Sequence, residues 1–433
     1  MIRSCFKRTP LVQWAWFSLV GVGVLWESLL APSVIGWGFI LAGCIAMLLI
    51  ERRWPSRTPL DWALLLLALT GGVSLCVTAV PRLTKVQVIR LGAGLAGFYG
   101  LVSWAQDRVQ VLLIAAGLTV GGLGLALLAP LTVDWLRVTT ILVPSSLYQH
   151  LPLLLSDPVH PNIMASLMVL LFPLPLAWLL SVDDHEPKCT GKRVFLGLAS
   201  VSMGAILLLT NSRGGYIAGT VGGVMAIWLS RRKWWAFALA FVVIGAGVWL
   251  IVIMSEWAPE MARSAVDPAS WTFRQQVWRV ALLMLADFPF TGVGMGTFNE
   301  VASLLYGFLE MNNPGAHNVY LQVGVDLGVP GLIAYLAVLM LTLWMAVTAT
   351  RAFDRQGKVE LRAVTAGALS GMTALMVHGL VDHAVWNTRV AFFPWLVIGL
   401  ITALFGIVAR EGVGSRRTGQ FEDSVGVESI SGG

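Results

Sequence analysis

The feature that most limits what this chain can become is its succession of apolar stretches, each about as long as a bilayer is thick, with the charges gathered between them. Crossing about 30 Å of hydrocarbon at 1.5 Å of helical rise per residue takes roughly 20 mostly apolar residues. Twelve stretches meet that length, at 11–31, 34–50, 60–80, 86–104, 111–131, 163–181, 194–210, 214–229, 234–254, 319–349, 363–380 and 391–409. Only 12% of the residues are charged, too few to clothe a water-soluble surface. An all-α integral membrane protein of about twelve spans follows, with residues 1–410 as one polytopic domain and 411–433 as a disordered cytoplasmic tail. The ninth connection, 255–318, is a long extracytoplasmic segment.

Orientation follows from Lys and Arg, which cytoplasmic loops retain during insertion. Arg3, Lys7, Arg8, Arg52, Arg53, Arg57, Arg108, Lys188, Lys192, Arg193, Arg231, Arg232, Lys233, Arg351, Arg355, Lys358, Arg362, Arg410, Arg416 and Arg417 all fall on one side of the twelve-span arrangement. Those twenty of the 29 basic residues place both termini in the cytoplasm. The first apolar stretch is too long for a cleaved signal and reads as a signal anchor. The formal charge of +6 then belongs to membrane anchoring, with no basic stripe suited to nucleic acid. The four cysteines form neither a disulfide framework nor a CxxC site.

Nine basic residues oppose this bias, and four of them sit in informative places. Arg213 lies in the turn Thr210-Asn211-Ser212-Arg213-Gly214-Gly215 between two spans, where it can anchor to headgroups. Beside Gly214 and Gly215, which permit close backbone approach, its guanidinium also suits a phosphate. Trp271, Arg274 and Trp278 recur at helical spacing ahead of Pro289, with Arg279 adjoining, and predict an amphipathic helix. Such a helix can lie on the membrane or meet an anionic lipid-borne substrate at the same height. Gly292-Val293-Gly294-Met295-Gly296 reads as a tight turn, since no βαβ unit surrounds it to make a nucleotide site. His317, before Asn318 at the start of a span, can be an interfacial hydrogen-bonding residue or a general base. His160-Pro161-Asn162 reads as a helix start, and His378 with Asp382 as a polar cap, no metal site being assigned.

The Ser212-Arg213-Gly214-Gly215 turn, the helix with Arg274 and Trp278, the Gly292 to Gly296 turn and the His317-Asn318 pair before Leu321-Gln322 occur in an order that resembles the O-antigen ligase and polymerase family. The resemblance spans about residues 161–400, the first five spans matching only as apolar helices. It implies a GT-C-like polytopic glycosyltransferase on the outer face of a bacterial inner membrane. The donor would be a glycan on undecaprenyl diphosphate and the acceptor a hydroxyl of the lipid A core or of a growing polysaccharide, with inverting chemistry and no metal or cofactor. Carried onto this sequence, Arg213 and Arg274 would hold the diphosphate, with Arg279 and Arg90 as further candidates. His317 would deprotonate the acceptor, supported by Gly214, Gly215, Trp278 and Asn318. No acceptor motif is visible, which leaves ligase, polymerase and other acceptors open. A bicarbonate or other small-solute transporter, or a flippase or export scaffold, are the alternatives from other classes.

Overall fold

A computed structural model describes residues 10–29, 34–51, 55–135, 153–154, 158–182, 190–230, 268–307 and 315–428. Its helices are α1 Pro10–Leu29, α2 Val34–Glu51, α3 Asp61–Val77, α4 Pro81–Trp104, α5 Arg108–Thr132, α6 Pro161–Leu171 and α7 Pro173–Leu179. The second half supplies α8 Thr190–Leu209, α9 Arg213–Ser230, α10 Pro268–Asp287, α11 Phe298–Tyr306, α12 Val319–Arg355, α13 Val359–His378 and α14 Phe392–Glu428. Eleven of the twelve expected spans coincide with these helices, the sixth divided between α6 and α7, while the ninth, 234–254, lies outside the described residues. Among the described residues six spans, at 81–104, 108–132, 161–179, 190–209, 319–355 and 392–411, are both long and apolar enough to cross a membrane. Exposed Val194, Leu198 and Val201 on α8, and Leu113, Val120 and Leu127 on α5, turn apolar surface outward as lipid-facing helices do. The chain is therefore a multi-pass helical membrane protein. Its last helix continues to Glu428, across residues expected from sequence to be an unstructured tail.

α13 sits at the centre, packed against α6, α7, α9, α12 and α14. It is not among the six helices long and apolar enough to cross a membrane, and its Ala363, Ala366, Gly367, Ala368, Ser370, Gly371 and Ala374 are buried inside the bundle. Small residues allow such backbones to approach closely. A Cβ at Gly371 would lie 2.1 Å from the Leu170 carbonyl oxygen. At the first turn of α13, Glu360 accepts from Arg108 at 2.8 Å, Lys192 at 2.5 Å and the Trp178 indole at 3.3 Å. At its last turn stands His378, about 27 Å away by helical rise, close to the hydrocarbon thickness. One polar cluster therefore closes each end of the bundle.

The long segment ahead of α12 is itself folded where it is described. Val277, Ala281 and Met284 of α10 share a small core with Val293, Phe298, Val301, Ala302, Ala316 and Val325. Helix α12 is interrupted at Gly328, with Pro330 following. Pro330 has no N–H for the Asp326 carbonyl, and the Val329 amide bonds to Pro289 instead of to Val325. The glycine turn satisfies both freed carbonyls: Val293 N–H donates to Val325 at 2.8 Å and Gly294 N–H to Asp326 at 3.2 Å. Gly292, Gly294 and Gly296 all have positive φ (65°, 105° and 74°), which accounts for their spacing. The turn is a plug for a broken helix.

Candidate functional site

The polar end of α13 gathers side chains from five separated stretches. His378 is buried and its Nδ1 lies 3.0 Å from the Ser166 hydroxyl. Asp382, just beyond the helix, accepts from the Asn162 side chain at 2.9 Å and from the Ala384 amide at 2.8 Å. His160 caps α6, its Nδ1 accepting from the Asn162 amide at 3.2 Å, with Pro161 as the first helical residue. The expected helix start and polar cap are thus parts of one network. His383 meets His317 edge to face, with 5.6 Å between ring centroids.

His317 occupies a left-handed backbone conformation at φ 48°, and three elements hold it there. The Trp278 indole N–H donates to the Ala316 carbonyl at 3.0 Å, and the Ala316 N–H donates to Gln322 Oε1 at 2.7 Å. Asn318 caps α12 by accepting from Tyr320 and Leu321, while its amide nitrogen donates to the Leu380 carbonyl at 2.9 Å. Val319 N–H reaches the Gly379 carbonyl at 2.8 Å. Such a conformation costs a non-glycine residue about 1–3 kcal/mol and persists only when its surroundings over-determine it.

Burial and the neighbouring His383, Arg274 and His160 push His317 down to about 4 against the opposing pull of Asp382, so its imidazole is neutral at neutral pH. Asp382 is held below the usual carboxylate range: burial works against this, but the surrounding His383, His378 and His317 outweigh it. The charge of Arg274 also acts on Arg213 and His378, which places Arg274 within range of the second guanidinium and of both imidazoles.

Of the residues singled out from sequence, Arg213, Arg274 and His317 come together, with Trp278 and Asn318 supporting the loop. Arg213 is exposed at the first turn of α9 and Arg274 is half-buried. Gly214 brings that turn against the network, where an added Cβ would lie 2.5 Å from Val381 Cγ2 and 3.4 Å from the His378 ring. Gly215 is enclosed by Ser212, Ala165 and Leu207, and its N–H already donates to Ser212 Oγ at 3.2 Å. Both glycines serve packing. Arg279 lies on the exposed face of α10, beside Gln275, Gln276 and Leu282, and Arg90 lies on α4 within reach of the charge of Arg389. Neither joins Arg213 and Arg274. The Trp271 side chain lies outside the described residues.

Sequence reading quoted His383 and Gln322 only as parts of longer motifs, without a role of their own, and passed over Ser166 and Asp326. Asp326 carried a signal, since an acid within an apolar span is expensive unless it serves structure or function. Its buried carboxylate accepts from Trp386 Nε1 at 2.8 Å, Asn387 Nδ2 at 2.5 Å, Gln322 Nε2 at 3.0 Å and Gly296 N at 3.3 Å. It ties the glycine turn to the His317 loop.

No curated protein matches the chain. Residues 198–336 match the family described as O-antigen ligase, a stretch that contains Arg213, Arg274, the glycine turn and His317 but not Arg90 or the 378–383 cluster. The apolar helices and this match together describe a multi-pass membrane protein whose residues 198–336 are similar to the O-antigen ligase family.

Proposed function

We propose that this protein transfers a glycan from an undecaprenyl-diphosphate-linked donor to a hydroxyl of a lipid A core or a growing polysaccharide, with inversion and without a metal. The observation that carries the reading is the charge of Arg274 acting both on the neutral His317 imidazole and on Arg213, whose turn packs against His378 at the same end of the bundle. The twelve-span topology puts that end outside the inner membrane and the Glu360 cluster, with both termini, in the cytoplasm. A lipid-linked donor can then present its diphosphate at the interface while its tail stays in the bilayer.

In the proposed reaction the acceptor oxygen bonds to the anomeric carbon as that carbon's bond to the diphosphate oxygen breaks. The electron pair leaves with undecaprenyl diphosphate, and Arg213 and Arg274 stabilise the charge that develops there. The acceptor proton passes to His317 and from it to water. Asp382, fixed by Asn162 and Ala384, lies where its negative charge favours the imidazolium so formed. Donor binding assists: a diphosphate against Arg274 offsets one of the positive charges that depress His317, making the imidazole a stronger base once the donor is in place.

The test uses purified full-length protein, a lipid-linked oligosaccharide and candidate acceptors, with and without EDTA. Release of undecaprenyl diphosphate that survives EDTA and is lost in Arg213→Ala and His317→Ala supports transfer. Full activity of His317→Ala overturns the base assignment. Zero turnover with every acceptor, together with solute uptake into vesicles, returns the chain to the transporter reading.

A further inference from the structure

The Asp326 network leads away from His317 to a second group of cations. Asn387, having given its amide nitrogen to Asp326, has its Oδ1 turned elsewhere, buried and without a hydrogen-bond partner. Gly296, which donates to the other carboxylate oxygen, lies against Gln87 of α4: a Cβ there would be 2.9 Å from Gln87 Cγ. Gln87 Oε1 is likewise buried and unpartnered, as is Nε of Arg90, one helical turn further along the same face. Arg389, exposed two residues beyond Asn387, is near enough for its charge to act on Arg90.

Buried polar atoms without partners are few in native structures and costly, and each calls for an explanation. Here two carbonyl-type acceptors and one guanidinium donor are left unsatisfied in one neighbourhood, beside a second guanidinium. That combination asks for a ligand offering both hydroxyl hydrogens, for the two amide oxygens, and anionic oxygens, for the two arginines. A sugar bearing a carboxylate or phosphate has both.

We propose that Arg90, Arg389, Gln87 and Asn387 form a second subsite that receives an anionic sugar unit of the acceptor. The assignment to the acceptor rests on the transfer reaction proposed above. Arg213 and Arg274 serve the donor diphosphate, and this group is tied to the His317 loop through Gln322 and Asp326, a chain of hydrogen bonds that includes neither of those arginines. In an in-line displacement the acceptor hydroxyl attacks from the side opposite the departing diphosphate, with the general base at its proton, so cations tied to the base apart from the donor clamp are assigned to the acceptor. Arg90, matched from sequence to the donor diphosphate, is reassigned by this geometry.

The test compares two acceptor oligosaccharides that differ only in one phosphate, using full-length protein in nanodiscs of zwitterionic lipid. The wild type should prefer the phosphorylated acceptor, and Arg389→Gln and Arg90→Gln should each cut that preference in kcat/KM about tenfold, the loss expected for one charge-assisted contact. Arg82→Gln, another exposed cation at the start of α4, should keep it. Binding of the same two oligosaccharides, measured without donor, should show the same dependence on Arg389. Equal preference in wild type and both arginine variants overturns the subsite while leaving transfer intact. A rise in donor KM in place of lost acceptor preference overturns it by returning the pair to the donor. If no acceptor supports transfer but the phosphorylated oligosaccharide still binds through Arg389, the transfer reaction falls and the anionic-sugar site stands.

Discussion

Replacing Asp326 with Asn keeps the side chain's shape and one acceptor oxygen but turns an NH₂ toward two of the four groups that now donate to it. Two buried donors lose their partner, at about 1–3 kcal/mol each. Part of this returns because a buried charge no longer has to be desolvated. A net loss of about 2 kcal/mol is expected, concentrated on the elements that Asp326 joins: the glycine turn through Gly296, and the His317 loop through Gln322, whose Oε1 holds the Ala316 amide at 2.7 Å. Local opening that is easier by about 2 kcal/mol speeds amide exchange about 30-fold. Hydrogen exchange read by mass spectrometry on peptides covering 292–297 and 315–319 should therefore accelerate in Asp326→Asn, while peptides covering α8 should not change. Transfer should fall in kcat as the imidazole loses its fixed position. Exchange within twofold of wild type at both loops would refute the anchoring role.

Four further outcomes follow. With saturating donor, kcat should decline as pH falls, because a protonated imidazole cannot accept the acceptor's proton; the midpoint should lie above the free-site value of about 4 and below the ordinary 6.5, and a flat acid limb would contradict the base role. Gly315→Ala should lower kcat at least about tenfold, since Gly315 has φ 129° and an added Cβ would lie 2.2 Å from His383 Nε2; steady-state kinetics near wild type would count against a role for His383. Trp278→Phe removes one hydrogen bond to Ala316, about 1 kcal/mol, and should cost about fivefold in kcat with donor KM little changed. At the other end, Glu360→Gln should lower thermal stability by under about 1 kcal/mol and leave transfer unchanged. Glu360 sits below its ordinary range because Lys192 and Arg108 outweigh burial, so its stabilisation is present above the ordinary carboxylate pKa and disappears as pH falls through the lowered value. The melting difference between wild type and Glu360→Gln should close on acidification.

Much of the helical framework was legible because the bilayer imposes a length and an apolar composition on whatever crosses it. Charge was legible for a related reason, and Arg108, Lys192, Lys358 and Arg410, grouped from sequence, do meet acceptors at one end of the bundle. The glycine turn could be read as a turn but not as the plug of a helix broken at Gly328, since that pairing joins residues more than thirty positions apart. The same limit hid the partners of His378 and Asp382, which come from α6. Arg279 shows what adjacency in sequence leaves out. Adjacent to Trp278 in sequence, it is rotated by 100° on the helix and leaves the site for the exposed face.

These ties bear on how a base can be kept in register with the cations it must serve. Arg274 and Trp278 are one helical turn apart on α10, so the helix that carries a guanidinium into the site also carries the hydrogen bond that steadies the His317 loop. Arg213 is joined to the same frame from the other side, because Gly214 packs its turn onto His378 and Val381, and Gly379 in turn receives the Val319 amide. A displacement of α10 would move Arg274 and pull on Ala316 together, instead of separating clamp from base. The left-handed strain at His317 gives that coupling a direction: if the ties to Trp278, Gln322 and Leu380 loosen, the backbone has a lower-energy conformation to relax into, and the imidazole leaves with it. The positioning of His317 therefore depends on residues that touch neither substrate, and its strength is the sum of bonds drawn from α10, α12 and the loop after α13.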